Sequence, residues 1–104
     1  MKKEVKILLV EDNESDIVLT VEALKEARVD NCINVARDGD EALKYLRKEG
    51  MFNNAERPDL ILMDINLPKI DGMEVLTEIK KDENLMSIPV VMLTTSDSEK
   101  DIMD

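Results

Sequence analysis

Apolar residues fall in three short runs, Val5 to Val10, Leu60 to Met63 and Val90 to Leu93, each bounded by polar positions. A weaker segment, Cys32 to Ala36, alternates, with Ile33 and Val35 between polar neighbours. Runs of this length suit strands covered on both faces, as in parallel sheets. Between them the apolar spacing turns helical: Ile17, Val21 and Leu24, then Ala42, Leu43 and Leu46, then Val75, Leu76 and Ile79. The order β-α-β-α-β-α-β predicts an α/β domain with right-handed crossovers. Gly50 to Pro58 reads as a polar loop, long enough to be an insertion. Ser96 stands three residues before Glu99, a capping box that predicts a helix start close to the last residue, Asp104.

The first run ends abruptly in "KILLVEDNESD", where Glu11, Asp12, Glu14 and Asp16 crowd together. At roughly 4 Å near a protein surface, each like-charge pair costs on the order of 4 kcal/mol before screening. An open parallel sheet places its functional crevice outside the carboxyl ends of its strands. Those ends carry Glu11 and Asp12 after the first strand, Asp64 after the third, and Thr94 and Thr95 after the fourth. Neighbouring strands lie about 4.8 Å apart, so these side chains can share one cluster. Three carboxylates at one sheet edge need a proton or a cation, and oxygen-only ligands select a hard ion, Mg²⁺ first and Mn²⁺ next. Mg²⁺ typically takes one or two carboxylates, which leaves Asp64 as a nucleophile toward phosphorus and Thr94 as a hydroxyl donor to a phosphoryl oxygen.

Simpler readings stand beside these. Glu14 and Asp16 suit the first turn of a helix capped by Asn13 or Ser15. Asp64 can cap a turn before Pro68, and the two threonines suit a strand by propensity. Asp38-Gly39 and Asp71-Gly72 read as turns, Gly72 supplying either positive φ or close packing.

Composition narrows the classes. The chain has 104 residues, one domain by length, and only Tyr45 and Phe52 are aromatic, which predicts an aliphatic, methionine-filled core. Acidic residues outnumber basic ones 24 to 14, a net charge of −10, which argues against nucleic acid and anionic membranes and favours cations or a basic partner. There is no histidine, which excludes His-based catalysis and His-ligated zinc, and the single Cys32 points to a reducing compartment. No apolar run approaches the ~18 residues of a membrane span, so the expected location is the cytoplasm. Gly39, Gly50 and Gly72 form neither dinucleotide nor P-loop signatures. The first loop presents carboxylates instead, so its first partner should be a metal.

"ILLVEDNESD", "DLILMDINLPKIDGMEVL" and "IPVVMLTTSD", in this order and spacing, resemble the receiver domain of two-component response regulators across essentially the whole chain. The resemblance implies a flavodoxin-like three-layer α/β sandwich on a parallel sheet. It assigns Glu11 and Asp12 to the acidic metal pair, Asp64 to the phospho-acceptor, the Asn66 backbone carbonyl to Mg²⁺, and Thr94 to the switching hydroxyl. A sensor histidine kinase would be the phosphoryl donor in a phosphorelay, and partner binding would change on transfer. The phrase "RPDLILMDINLPKIDG" and the polar insertion before it are similar to single-domain regulators paired with phytochrome-type kinases.

Receiver domains have five β-α units, and this sequence ends within the fourth helix. The expectation is therefore a receiver over residues 1–104 lacking the fifth strand, its terminal lysine, the aromatic switch residue and the last helix; neither Lys69 nor Lys100 matches that lysine. An uncovered "IPVVMLTT" edge would favour homodimers or domain-swapped self-association. Two rival expectations are a self-associating structural piece and a Mg²⁺-dependent phosphatase of the haloacid-dehalogenase type. The phosphatase needs Asp-x-Asp, whereas Asp64-Ile65-Asn66 stands here and asparagine cannot shuttle protons. The reading is of a signalling module, not an enzyme.

Overall fold

The structure, a computed structural model, describes residues 4–27 and 30–93. Its elements are β1 (Val5–Val10), α1 (Glu14–Lys25), β2 (Asn31–Ala36), α2 (Gly39–Arg47), a 3-10 turn (Gly50–Phe52), β3 (Leu60–Asp64), α3 (Gly72–Lys81) and β4 (Val90–Leu93). All strand pairs are parallel, in the order β2-β1-β3-β4. Val10 stands opposite both Ala36 and Met63, and Asp64 opposite Leu93, so three strand ends finish level with one another.

The central strands are apolar because both their faces are covered. Leu8, Val10, Ile61 and Met63 join Ala42, Leu43, Leu46, Val75, Ile79, Leu85 and Ile88 in one buried cluster, the layer of α2 and α3. Ile7, Leu9 and Ile17 are buried outside that cluster. The path explains the division. From β1 to β2 the chain steps one way across the sheet, and from β2 to β3 to β4 it steps back. Right-handed crossovers then put α1 on the face opposite α2 and α3, giving three layers. This is the flavodoxin-like order of strands.

Several sequence expectations change in detail. Of the first helical set only Ile17 is buried; Val21 and Leu24 are half-buried, while Val18 and Leu19 are exposed. The core is aliphatic but not methionine-filled: Met63 is fully buried, whereas Met51, Met73 and Met86 lie on the surface. The Gly50 to Pro58 loop contains the 3-10 turn, which sets Phe52 against Tyr45 with ring centroids 5.6 Å apart.

The two Asp-Gly pairs are helix starts rather than free turns. Asp38 Oδ1 accepts the Glu41 N–H at 2.7 Å and Asp71 Oδ1 accepts the Glu74 N–H at 2.9 Å, capping α2 and α3. Neither following glycine has positive φ. Both are there for close approach: a Cβ on Gly39 would run into the Ile70 carbonyl and come within 2.8 Å of Val75 Cγ2. A Cβ on Gly72 would run into the Asp64 carbonyl and come within 2.9 Å of Ile65 Cα. The helix start expected at Ser96 lies outside the described residues.

Candidate functional site

One residue beyond β1, the Glu11 N–H still donates to the Ala36 carbonyl at 2.9 Å, so the strand register is kept while the chain begins to turn. That holds the Glu11 side chain inward, where it is only 2% exposed. Asp12, the next residue, is exposed. Asp64, the last residue of β3, is also 2% exposed. Carboxylate oxygens of Glu11, Asp12 and Asp64 all lie within 4.8 Å of one another. The three acids expected to converge are brought together.

Backbone amides hold the two buried acids in place. Glu11 Oε1 accepts the Asn13 N–H at 3.0 Å, and Asp64 Oδ1 accepts the Asn66 N–H at 3.1 Å. Asn13 also caps α1, its Oδ1 accepting the Asp16 N–H at 3.1 Å, which selects it over Ser15 as the cap. Among the described residues, no lysine or arginine forms an ion pair with Glu11, Asp12 or Asp64. Burial, reinforced by the charge of Asp64, pushes Glu11 up from 4.5 to about 7, against the opposing pull of the Asn13 amide. Burial also raises Asp64, with Asp12 and Asp16 adding repulsion and the Asn66 amide opposing.

Two buried acids that resist ionisation, beside a third that is wet, form an incomplete electrostatic unit. A small divalent cation would complete it, and the donors are all oxygens, which suits Mg²⁺ or Mn²⁺. Through Asp12 the cluster is open to solvent on one side.

Asn66 lies in the loop after β3, exposed, with its N–H on Asp64. Thr94 and Thr95 lie outside the described residues. Two cations near the strand ends carried no signal in the sequence. Arg37, directly after β2, pairs with Glu14 at 2.6 Å, and Lys69, in the loop after Asp64, pairs with Asp38 at 3.5 Å. Asp16 also has more to do than start a helix, since its charge reaches both buried acids.

Comparison with known proteins follows the same lines. Residues 7–104 match the family described as the response regulator receiver domain. The chain is 50% identical over 97 residues to response regulator Rcp1 of Synechocystis sp., covering 93% of this chain and 66% of that protein. Among solved structures it is similar to the phosphorylated cyanobacterial phytochrome response regulator RcpA, with a TM-score of 0.86 and 56% identity over 97% of this chain and 72% of that one. It is similar also to the Mn²⁺-bound form of response regulator Rcp1, with a TM-score of 0.85 and 48% identity over 95% of this chain and 71% of that one.

Proposed function

The chain belongs to the response regulator receiver family, and from that premise we propose that Asp64 accepts a phosphoryl group from a sensor histidine kinase. Residues 1–104 are read as one receiver unit. In this reading Glu11, Asp12, Asp64 and the backbone carbonyl of Asn66 hold Mg²⁺ or Mn²⁺, and the Thr94 hydroxyl meets the transferred group. The carrying observation is the convergence of three carboxylates within 4.8 Å, two of them buried without a cationic partner among the described residues. The description of RcpA as a cyanobacterial phytochrome response regulator supports a phytochrome-type kinase as donor.

When bound, a divalent ion supplies positive charge against the phosphoryl oxygens. The chain does the rest. The Asn66 N–H fixes the Asp64 carboxylate, and an oxygen lone pair of Asp64 forms the new O–P bond. The P–N bond to the kinase imidazole breaks, its electrons return to the nitrogen, and that nitrogen is protonated from solvent. Water hydrolyses the resulting acyl phosphate and resets the site. A new dianionic group beside a hydroxyl and two loop amides shifts those loops and hence partner binding.

The test is incubation with Mg²⁺ and acetyl phosphate, read by intact mass. We expect a phosphate adduct that Asp64→Asn abolishes. Turnover of phosphomonoesters would instead favour the phosphatase, and Mn²⁺ binding without any adduct would reduce the site to a relic.

Self-association is a second proposal. In the sheet of the described residues β4 is paired on one side only, and Val91 is 46% exposed. Such an edge favours pairing with a second copy. Light scattering of the 104-residue chain should show dimers at high concentration; a monodisperse monomer would end this proposal. No helix among the described residues is long and apolar enough to cross a membrane, and the proposed place of action is the cytoplasm.

A further inference from the structure

We propose that Arg37 is a binding residue for the phosphoryl group of the incoming donor, held in waiting by Glu14. The inference rests on the phosphoryl-acceptor reading and assigns part of its substrate recognition.

Position is the first argument. Ala36, whose carbonyl takes the Glu11 N–H, immediately precedes Arg37. The guanidinium therefore starts one backbone step from the wall of the acidic pocket. β2 is two strand spacings from β3, about 10 Å, a gap that a long arginine side chain largely bridges. Glu14, on the other side of Glu11 in the chain, opens α1. The Arg37–Glu14 bridge thus joins the residue after β2 to the first residue of α1, the two segments that follow the strand ends next to Glu11.

The second argument is how little holds Arg37 there. Among the described residues its guanidinium makes one hydrogen bond, Nη1 to Glu14 Oε2 at 2.6 Å. Five N–H groups are available on that fork. The two side chains are 54% and 69% exposed, and a surface bridge of this kind contributes little to stability. Lys69 is differently placed. Its partner Asp38 is only 18% exposed and caps α2 through its other oxygen, so releasing Lys69 would disturb a helix start.

Charge supplies the third argument. Glu11, Asp12 and Asp64 together outweigh a divalent ion, and Asp16 adds to the same field. A phosphoryl donor is itself anionic, so it approaches a site that is still negative. A guanidinium that exchanges one carboxylate for two phosphoryl oxygens offsets that repulsion, and its planar fork matches them. The exchange is a binding step only; no bond to phosphorus forms or breaks at Arg37.

Two substitutions separate recognition from simple tethering of α1 to β2. With acetyl phosphate and Mg²⁺ at low salt, Arg37→Gln should slow labelling of Asp64 about 3–10-fold and flatten its salt dependence, leaving Mn²⁺ affinity intact. Glu14→Gln frees the guanidinium and should raise the labelling rate. A tether would make both variants equally slow, which would overturn the proposal, as would an Arg37→Gln variant that labels like the parent. Inorganic phosphate titrated into ¹⁵N-labelled, Mg²⁺-loaded protein gives an independent readout. The Arg37 Nε–H resonance should shift in the parent and in Asp64→Asn alike. If no adduct forms at all, the phosphoryl-transfer reading fails and this titration decides Arg37 alone: a shift sustains anion binding there, and a silent resonance ends it.

Discussion

A carboxyl group as deeply enclosed as that of Glu11 keeps its proton or acquires a cation. Its folded-state value of about 7 lies above its ordinary 4.5, so between these values the folded chain binds more protons than the unfolded one. The stabilisation is fully present below about pH 4.5 and is lost as pH rises through about 7. Asp64, also raised, acts with the same sign. The urea midpoint of the metal-free protein should therefore fall between about pH 5 and pH 8, and Mg²⁺ should restore it most at the upper end, where its ligands are already deprotonated. Glu11→Gln should stabilise the metal-free protein near pH 8 by about 1–2 kcal/mol while weakening Mn²⁺ binding. A destabilised Glu11→Gln protein would mean that this acid is not under strain. Glu11, Asp12 and Asp64 were legible in the sequence because each follows directly on an apolar run that fixes where a strand ends. Arg37 was not, because an arginine after a strand is common and its nearness to Glu14 exists only once the sheet has formed.

At the level of elements, the strands and the capped start of α1 were readable, and the starts of α2 and α3 were not. Three unbroken apolar runs between helical patterns suit strands of a parallel sheet, and these and the alternating Cys32 to Ala36 segment all appear within one residue of their expected bounds. Asp-Gly, by contrast, serves equally for a turn and for a capped helix whose first residue must lack a side chain. Tertiary neighbours decide between the two: the Ile70 carbonyl at Gly39 and the Asp64 carbonyl at Gly72. Three substitutions should sort these roles in urea titrations. Gly72→Ala forces a methyl onto backbone and should cost about 3 kcal/mol. Gly50→Ala has open space but φ of +57°, and should cost about 1 kcal/mol. Asp38→Ala loses a cap and the Lys69 ion pair, and should cost about 1 kcal/mol. If Gly72→Ala were no worse than Gly50→Ala, close packing against the Asp64 strand would be refuted. Methionine was misjudged for a related reason, since apolar character alone does not reveal which helix face a residue occupies; Met51 and Met73 lie outside.

For the whole molecule the dominant fact is a net charge of −10, and among the described residues three of its carboxylates meet at the carboxyl end of the sheet. Self-repulsion of this kind weakens the compact state. Monovalent salt should raise the denaturation midpoint of the metal-free chain gradually, through screening. Mg²⁺ should raise it at far lower concentration and with saturation, because it fills a site. Identical curves for the two salts would leave the acids as a diffuse field and nothing more. The pair of side-chain-free positions carries a consequence of another kind. Gly39 seats α2 directly on the Ile70 backbone, and Gly72 seats α3 directly on the Asp64 backbone. No pliable layer is left between them to absorb movement. The chain from Asp64 to Asp71 works as a splint between two helix starts, so a displacement of the Asp64 backbone is passed directly to the first turns of α2 and α3.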